Sequence, residues 1–310
     1  MRSLKTYKEI LRKKGWYMCL REAKKALWPI WWTRSRAAIE QIQAERASNY
    51  LWRKYGTLIT KPLDDSQQVN EPTQVVWVCW LQGEENAPEI VKQCITSVKR
   101  YMPKYEVRVL TADNIFDFVT LPEHIVRKYK NGTITFTHFS DILRTALLVQ
   151  HGGIWLDATV LVTESVPAEM TDAPLFFLQK SILSSIPHAG SSWFIAAHKG
   201  NAVMQRVLDV LCAYWKRENI LRDYYLFHCI LYLVLTRNEQ ASALFKAMPY
   251  VPNVDAHTLQ FSLFEDFNET QWKQICSRSA IHKLTWKFNH NEPLNKKGTY
   301  YDYILHHMHL

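Results

Sequence analysis

The 310 residues, 47% apolar and 22% charged, suffice for one large or two modest domains and exclude a wholly disordered, collagen-like or coiled-coil chain. The net charge of +9 is unevenly spread. Residues 1–62 hold 15 Lys and Arg against 4 Asp and Glu, net +11, while the remaining 248 hold 23 against 25, net −2. A slightly acidic body with no base-reading motif argues against nucleic acid as a partner.

The first 62 residues read mostly as helix, interrupted at Trp28-Pro29 because proline lacks the amide hydrogen and clashes with the preceding turn. Leu4, Tyr7, Ile10, Leu11, Trp16 and Tyr17 recur at helical spacing among Lys and Arg, and Trp28, Trp31 and Trp32 cluster at the break. That combination suits the headgroup layer of an anionic membrane. It equally suits an amphipathic helical subdomain packed on the body with its charges solvated. Residues 63–73, polar and Pro-containing, read as a linker. The longest apolar run, Phe227 to Leu235, is about half of a membrane-spanning helix, and no signal sequence is recognisable. The expectation is a cytoplasmic protein, peripheral on the inner face of the cell membrane, with six reduced cysteines and no CxxC pair.

Past the linker the pattern becomes α/β. Gln74 to Leu81 reads as a buried strand, Ala87 to Tyr101 as a helix and Tyr105 to Thr111 as a second strand, a βαβ unit whose ligands belong at the carboxyl ends of its strands. Phe139 to Gln150 is expected as a helix ended by Gly152-Gly153, and Ile154 to Val162 as one strand. Short strands LFFLQ and WFIAA follow, then helices at about 201–217, 222–237 and 260–276.

The informative stretch is FSDILRTALLVQHGGIWLDATV, residues 139–160. Asp141 and Arg144 are three apart and share a helix face, and the diglycine delivers Asp157 from an otherwise apolar strand. An acid amid Ile, Trp, Leu and Val must be paired or metal-bound. From spacing alone, an Asp141–Arg144 ion pair with a structural role for Asp157 remains open beside a catalytic one.

The pattern S-D-x-x-R, a helix, G-G, then an aromatic and L-D is similar to that of DXD-type nucleotide-sugar glycosyltransferases. The body from Gln74 to Lys287 resembles the bacterial capsular polysaccharide synthesis protein family among them, through WVCWLQGEENAPEIVKQCITSVKRYMP, WFIAAHKGNAVMQRVLDVL, DYYLFHCI and IHKLTWK. The resemblance implies a GT-A, Rossmann-like α/β fold over residues 74–310. It also implies transfer of a sugar, with retained configuration, from a UDP-sugar or similar donor to a surface polysaccharide or lipid-linked oligosaccharide. An inactive sugar-nucleotide-binding or scaffold module is the alternative.

On the donor side the resemblance places Trp80, Gln82 and Gly83 at the nucleotide, and Asp141, Arg144, Gly153, Asp157 and Lys283 at the sugar and diphosphate. Asp157 stands at the first Asp of DXD, whereas Thr159 replaces the second. Manganese, or magnesium, would then rest on Asp157 and His282, a thinner ligand set than two carboxylates provide. Asp223, opening the DYYLFHCI segment, is a further catalytic candidate, with a helix-capping role as its plainer reading. His228 in that segment reads equally as a hydrogen-bonded core residue.

Overall fold

The structure is a computed structural model and describes residues 36–180, 188–288 and 291–308. Its elements in chain order are α1 (Arg36–Ile59), β1 (Val75–Cys79), α2 (Glu89–Tyr101), β2 (Glu106–Leu110), α3 (Ile115–Phe118), α4 (Glu123–Lys130), α5 (Phe136–His151), β3 (Gly153–Asp157), β4 (Val160–Val162), α6 (Ala168–Thr171), β5 (Leu175–Gln179) and β6 (Gly190–Ala197). The chain continues through α7 (Ala202–Arg217), α8 (Leu226–Arg237), α9 (Glu239–Ala247), α10 (Thr258–Ser262), α11 (Glu269–Arg278), β7 (Ile281–Lys283) and α12 (Tyr300–His306).

Among the described residues, five strands form a sheet in the order β2-β1-β3-β6-β5, and β4 pairs with β7 in a small second sheet. β1 runs parallel to both β2 and β3, whereas β6 is antiparallel to β3 and to β5. The expected βαβ unit is therefore β1-α2-β2, within a mixed α/β architecture. Because strand side chains alternate, the sheet feeds two cores. Val75, Trp77 and Trp155 point to a layer containing α1, α5, α7 and α8; Val76, Val78, Ile154 and Leu156 point to one containing α2, β4 and α11. Covering on both faces explains why β1 reads as a continuous apolar run.

The diglycine is a steric necessity. Gly152, at φ 73°, closes α5 by donating its N–H to the Leu148 carbonyl at 2.9 Å. Gly153 lies at φ 94°, and a Cβ there would come within 2.5 Å of the Val75 carbonyl oxygen. Gly153→Ala is expected to cost at least about 1–3 kcal/mol, since the backbone strain is compounded by a clash with another strand. An unchanged urea midpoint would show that β1 and β3 can separate freely.

The sheet corrects three expectations. The strand expected over residues 154–162 is two: the chain turns at Ala158-Thr159 and crosses from the large sheet to the small one, where Val160 pairs with Lys283. The helix expected at 260–276 is also two, because the Asn268 side chain accepts from the Gln271 N–H at 2.9 Å and starts α11 anew. The third concerns the boundary at residue 62. Residues 1–35, with the Trp28-Pro29 break, lie outside the described residues, but α1 does not stand apart from the body. Its Ala44, Ala47, Leu51, Tyr55 and Ile59 lie in the same core cluster as Trp77, Leu147 and Phe227.

The polar segment after α1 is also fastened down. Buried Arg206 donates to the carbonyls of Leu58, Lys61 (3.0 Å) and Pro62 (2.9 Å), and buried Asn238 donates to those of Ile59 (3.0 Å) and Lys61 (2.9 Å). Carbonyls at a helix C-terminus have no partners within the helix, so α7 and α9 complete the hydrogen bonding of α1.

Candidate functional site

Asp157 is the last residue of β3 and lies in register with Cys79, the last of β1. The site thus opens at the carboxyl ends of adjacent parallel strands, where open α/β sheets place ligands. α5 lies on one face and offers Asp141 and Arg144 one turn apart. Arg144 donates from Nη1 to Asp141 Oδ1 at 2.7 Å and from Nη2 to Asp157 Oδ1 at 3.3 Å. The Trp155 indole N–H donates to the same Asp157 oxygen at 3.1 Å, and the guanidinium lies over the Trp155 ring, 5.0 Å from its centroid.

From the small sheet, Lys283 Nζ lies 3.8 Å from Asp157 Oδ2 and donates to Thr159 Oγ1 at 2.5 Å and to the Leu284 carbonyl at 3.1 Å. Charges alternate along the row Asp141, Arg144, Asp157, Lys283. Asp141 and Arg144 are buried, and Asp157 keeps 30% of its side chain exposed. Burying such groups is tolerable only with partners on both sides. Beside this row, burial pushes the Cys79 thiol up to about 12, with Arg144 opposing and Asp157 reinforcing the shift, which favours the protonated thiol over the thiolate.

Trp80 follows Cys79 at the same edge. Its ring packs edge-on against Trp286 at 5.3 Å between centroids, and its buried indole N–H has no acceptor. Gln82 is exposed, and Gly83 takes φ 85° in the turn after Trp80. On the opposite side, His138 Nδ1 stands 3.7 Å from Asp141 Oδ2, and Tyr224, largely exposed, packs edge-on against the His138 ring. Tyr225, His188 and His228 extend this shelf. Burial pushes His228 down to about 4, with Asp141 and Asp157 opposing and Arg144 reinforcing the shift, so its ring is neutral at pH 7.

The structure therefore brings together Asp141, Arg144, Asp157, Thr159 and Lys283, with Trp80, Gln82 and Gly83 at the same strand ends. Gly153 belongs elsewhere, because it opens β3 and lies about 13 Å of strand rise from Asp157. Its work is the close approach to Val75. Asp223 accepts from the Tyr225 N–H at 2.8 Å, a local turn bond; Tyr225 and not Asp223 is the N-cap of α8 and has no side-chain cap, so the capping reading is not met either. Trp155, His138, His188 and Trp286 were not among the expected site residues. His138 was signalled by its three-residue spacing from Asp141, and Trp286 by its place three residues after Lys283.

His282 is corrected outright. Consecutive strand residues face opposite ways, and Lys283 takes the site face, so His282 turns into the core with no exposed surface and meets Thr163 Oγ1 through Nε2 at 3.1 Å. It does not complete a metal site with Asp157. Nor do other groups: among the described residues no three His, Cys, Asp or Glu side chains converge as ligands. The Asp157 oxygens face Arg144, Trp155 and Lys283, and the Thr159 hydroxyl is engaged by Lys283. A divalent ion that wants several hard oxygens does not fit this donor set.

Burial holds His282 down to about 4, below the usual histidine range. The unfolded chain therefore takes up a proton that the folded one refuses as pH falls from about 6.5 to 4, so stability is complete above that window and falls within it. The shift corresponds to roughly 3 kcal/mol by pH 4, to which His188 and His228 add with the same sign. Urea midpoints at pH 7 and pH 5 are expected to differ less in His282→Gln than in the parent; equal differences would remove His282 as the source.

With this geometry in hand, the comparisons with known proteins are specific. The family described as "Capsular polysaccharide synthesis protein" matches residues 25–304. The chain belongs to that family. Its match starts before α1, in keeping with the burial of that helix. Curated relatives include a glycosyltransferase, afumC, of Aspergillus fumigatus, 33% identical over 35% of this chain and 29% of the relative. An O-glycosyltransferase, braB, of Annulohypoxylon truncatum is 27% identical over 45% of this chain and 37% of the relative. A third, PaGT of Phomopsis amygdali, is 29% identical over 34% and 27%. The matches thus span about a third of those relatives' lengths, and all three organisms are fungi, so a bacterial source does not follow from them. A solved structure named PaToxG glycosyltransferase superposes with a TM-score of 0.43 at 14% identity, covering 78% of this chain and 95% of the other, a likeness too distant to carry an argument.

Proposed function

We propose that this member of the capsular polysaccharide synthesis family is a glycosyltransferase of GT-A type, moving a sugar from a nucleotide-sugar donor, a UDP-sugar by the family resemblance, to an acceptor hydroxyl. The observation that carries the reading is the row Asp141–Arg144–Asp157–Lys283 at the carboxyl ends of β1 and β3. The bond from the anomeric carbon to the diphosphate oxygen breaks, leaving an oxocarbenium-like sugar and a diphosphate gaining negative charge, while the acceptor oxygen forms the new bond and passes its proton to the departing diphosphate oxygen. Arg144 and Lys283 supply fixed cations for the phosphate, and Asp141 and Asp157 supply carboxylates for the sugar hydroxyls and the electron-poor ring. Trp80 and Trp286 offer aromatic surface for the base.

Two relatives are named O-glycosyltransferases, which supports an oxygen acceptor. The family description supports a polysaccharide as that acceptor, and a lipid-linked oligosaccharide belongs to the proposal through the family resemblance. The shelf of Tyr224, Tyr225, His138 and His228 is the surface we assign to it, and retention of configuration belongs to the proposal through the family resemblance. Among the described residues no helix is long and apolar enough to cross a membrane. Docking on the inner membrane face rests on the net +11 of residues 1–62.

A nucleotide-sugar screen tests the reading. Release of nucleoside diphosphate from one donor class, rising when acceptor is added, is the expected result. A second reading, a sugar-nucleotide-binding or scaffold module, draws on Thr159 in place of a second acid; donor binding without release or transfer would establish it instead.

A further inference from the structure

We propose that this chain grips the donor diphosphate without a divalent cation, the Lys283 ammonium occupying the position between residues 157 and 159 that a metal takes in two-acid sites. The inference rests on the glycosyltransferase reading and names how that site holds its donor. One nitrogen reaches both positions of the motif: Lys283 Nζ is 2.5 Å from Thr159 Oγ1 and 3.8 Å from Asp157 Oδ2. A hydroxyl at position 159 accepts a hydrogen bond from an ammonium without adding negative charge, so Lys283 is held in place yet only partly neutralised. Its side chain keeps 20% of its surface exposed, leaving a face from which a phosphate oxygen can approach.

The strand that delivers Lys283 also removes the alternative. β4 and β7 are in register Val160 to Lys283 and Leu161 to His282, so placing the lysine at the site sends the histidine into the core, where it meets Thr163. One strand of three residues cannot present both to the same ligand. Arg144 supplies the second cation, fixed by Asp141 and Trp155, and keeps a buried Nε without an acceptor. Lys287, exposed and lying over the Trp286 ring, adds a third positive charge a few residues beyond Lys283. When a diphosphate enters, Lys283 exchanges its long contact with Asp157 for a phosphate oxygen while keeping Thr159. Asp157 is thereby freed toward the sugar.

Calorimetric titration with UDP, GDP, ADP and CDP, each in excess EDTA and in manganese chloride, tests this. The expected result is one nucleoside diphosphate that binds with affinities within about twofold in the two conditions. Lys283→Ala should weaken that binding about thirtyfold, the loss of one charge-assisted hydrogen bond of about 2 kcal/mol, and manganese should not restore it. The double variant Thr159→Asp with Lys283→Ala supplies a second carboxylate and removes the competing ammonium. Its binding should become manganese-dependent by at least about tenfold. Circular dichroism of each variant shows whether it is folded, and Lys283→Arg, which keeps the charge, should retain most of the affinity.

Binding that vanishes in EDTA and returns with manganese would overturn the inference while leaving the glycosyltransferase reading intact. Undiminished binding by folded Lys283→Ala would overturn it equally. Failure of all four nucleoside diphosphates to bind in either condition would remove the donor reading and this inference with it.

Discussion

Arg144→Ala is expected to lower donor turnover at least a hundredfold and also to destabilise the fold by about 3–5 kcal/mol, the range for breaking a buried charge pair by removing one partner. The double effect follows from position. Arg144 lies almost fully buried between Asp141 and Asp157, so its removal leaves two carboxylates short of their main cation, one of them buried. Sequence spacing alone suggests a folded but inactive variant, since a helical i,i+3 pair on a surface is worth only a few tenths of a kcal/mol. Burial changes that expectation. Asp157→Asn should separate the two effects, because the amide keeps the size and an acceptor oxygen for Trp155 while Arg144 retains Asp141. It should cost about a hundredfold in kcat/KM with a stability change under about 2 kcal/mol. Urea unfolding beside steady-state kinetics reads both quantities. Arg144→Ala with a normal unfolding midpoint and normal turnover would return the row to a surface ion pair of no consequence.

The same contrast between spacing and burial decides what the sequence could reveal. β1, α2, β2 and α5 were legible because their apolar residues follow a strand or helix period over enough positions to separate the two. Asp141, Arg144 and Asp157 were legible because polar groups interrupted those periods and demanded partners. The passage from β3 to β4 was not. Both strands are buried, so Ile154 to Val162 stays apolar through the change of sheet, and periodicity carries no record of which sheet a strand joins. The fate of His282 turned on three residues, too few to show alternation, although neighbouring positions in any strand must part. Gly153 and Asp157 could have been separated by noting that they open and close one strand. The shelf of His138, His188 and Tyr224 needed contacts from α5, the segment before β6 and the start of α8, and no local pattern joins those segments. Nor does amphipathicity in α1 name its cover: a helix with an apolar stripe declares that something lies against it, and only the packing shows that this is α7 and α8.

That last point sets the expected outcome of truncation. Removing residues 1–62 should give an insoluble body, whereas removing residues 1–35 should give a folded one that still turns over donor. The longer deletion strips Ala44, Ala47, Leu51, Tyr55 and Ile59 from the core. Leu51 alone, with no exposed surface, is worth about 2–5 kcal/mol when cut back to alanine, and a whole domain has only about 5–15 kcal/mol to lose. It also orphans buried Arg206 and Asn238, whose hydrogen bonds run to carbonyls of residues 58–62. Glu218 loses its contacts with Tyr50 and Lys54 of the same helix. The shorter deletion leaves all of this in place and still removes Trp16, Trp28, Trp31, Trp32 and 10 of the 15 basic residues of the first 62. It is therefore the variant that can test membrane attachment. The full chain should sediment with vesicles containing anionic lipid and release as salt rises, because exposed charges are screened over about 10 Å at 0.1 M. The 36–310 chain should remain in the supernatant. Equal sedimentation of the two would place any membrane contact on the body, and a soluble, active 63–310 chain would show that α1 is a cover the core can do without.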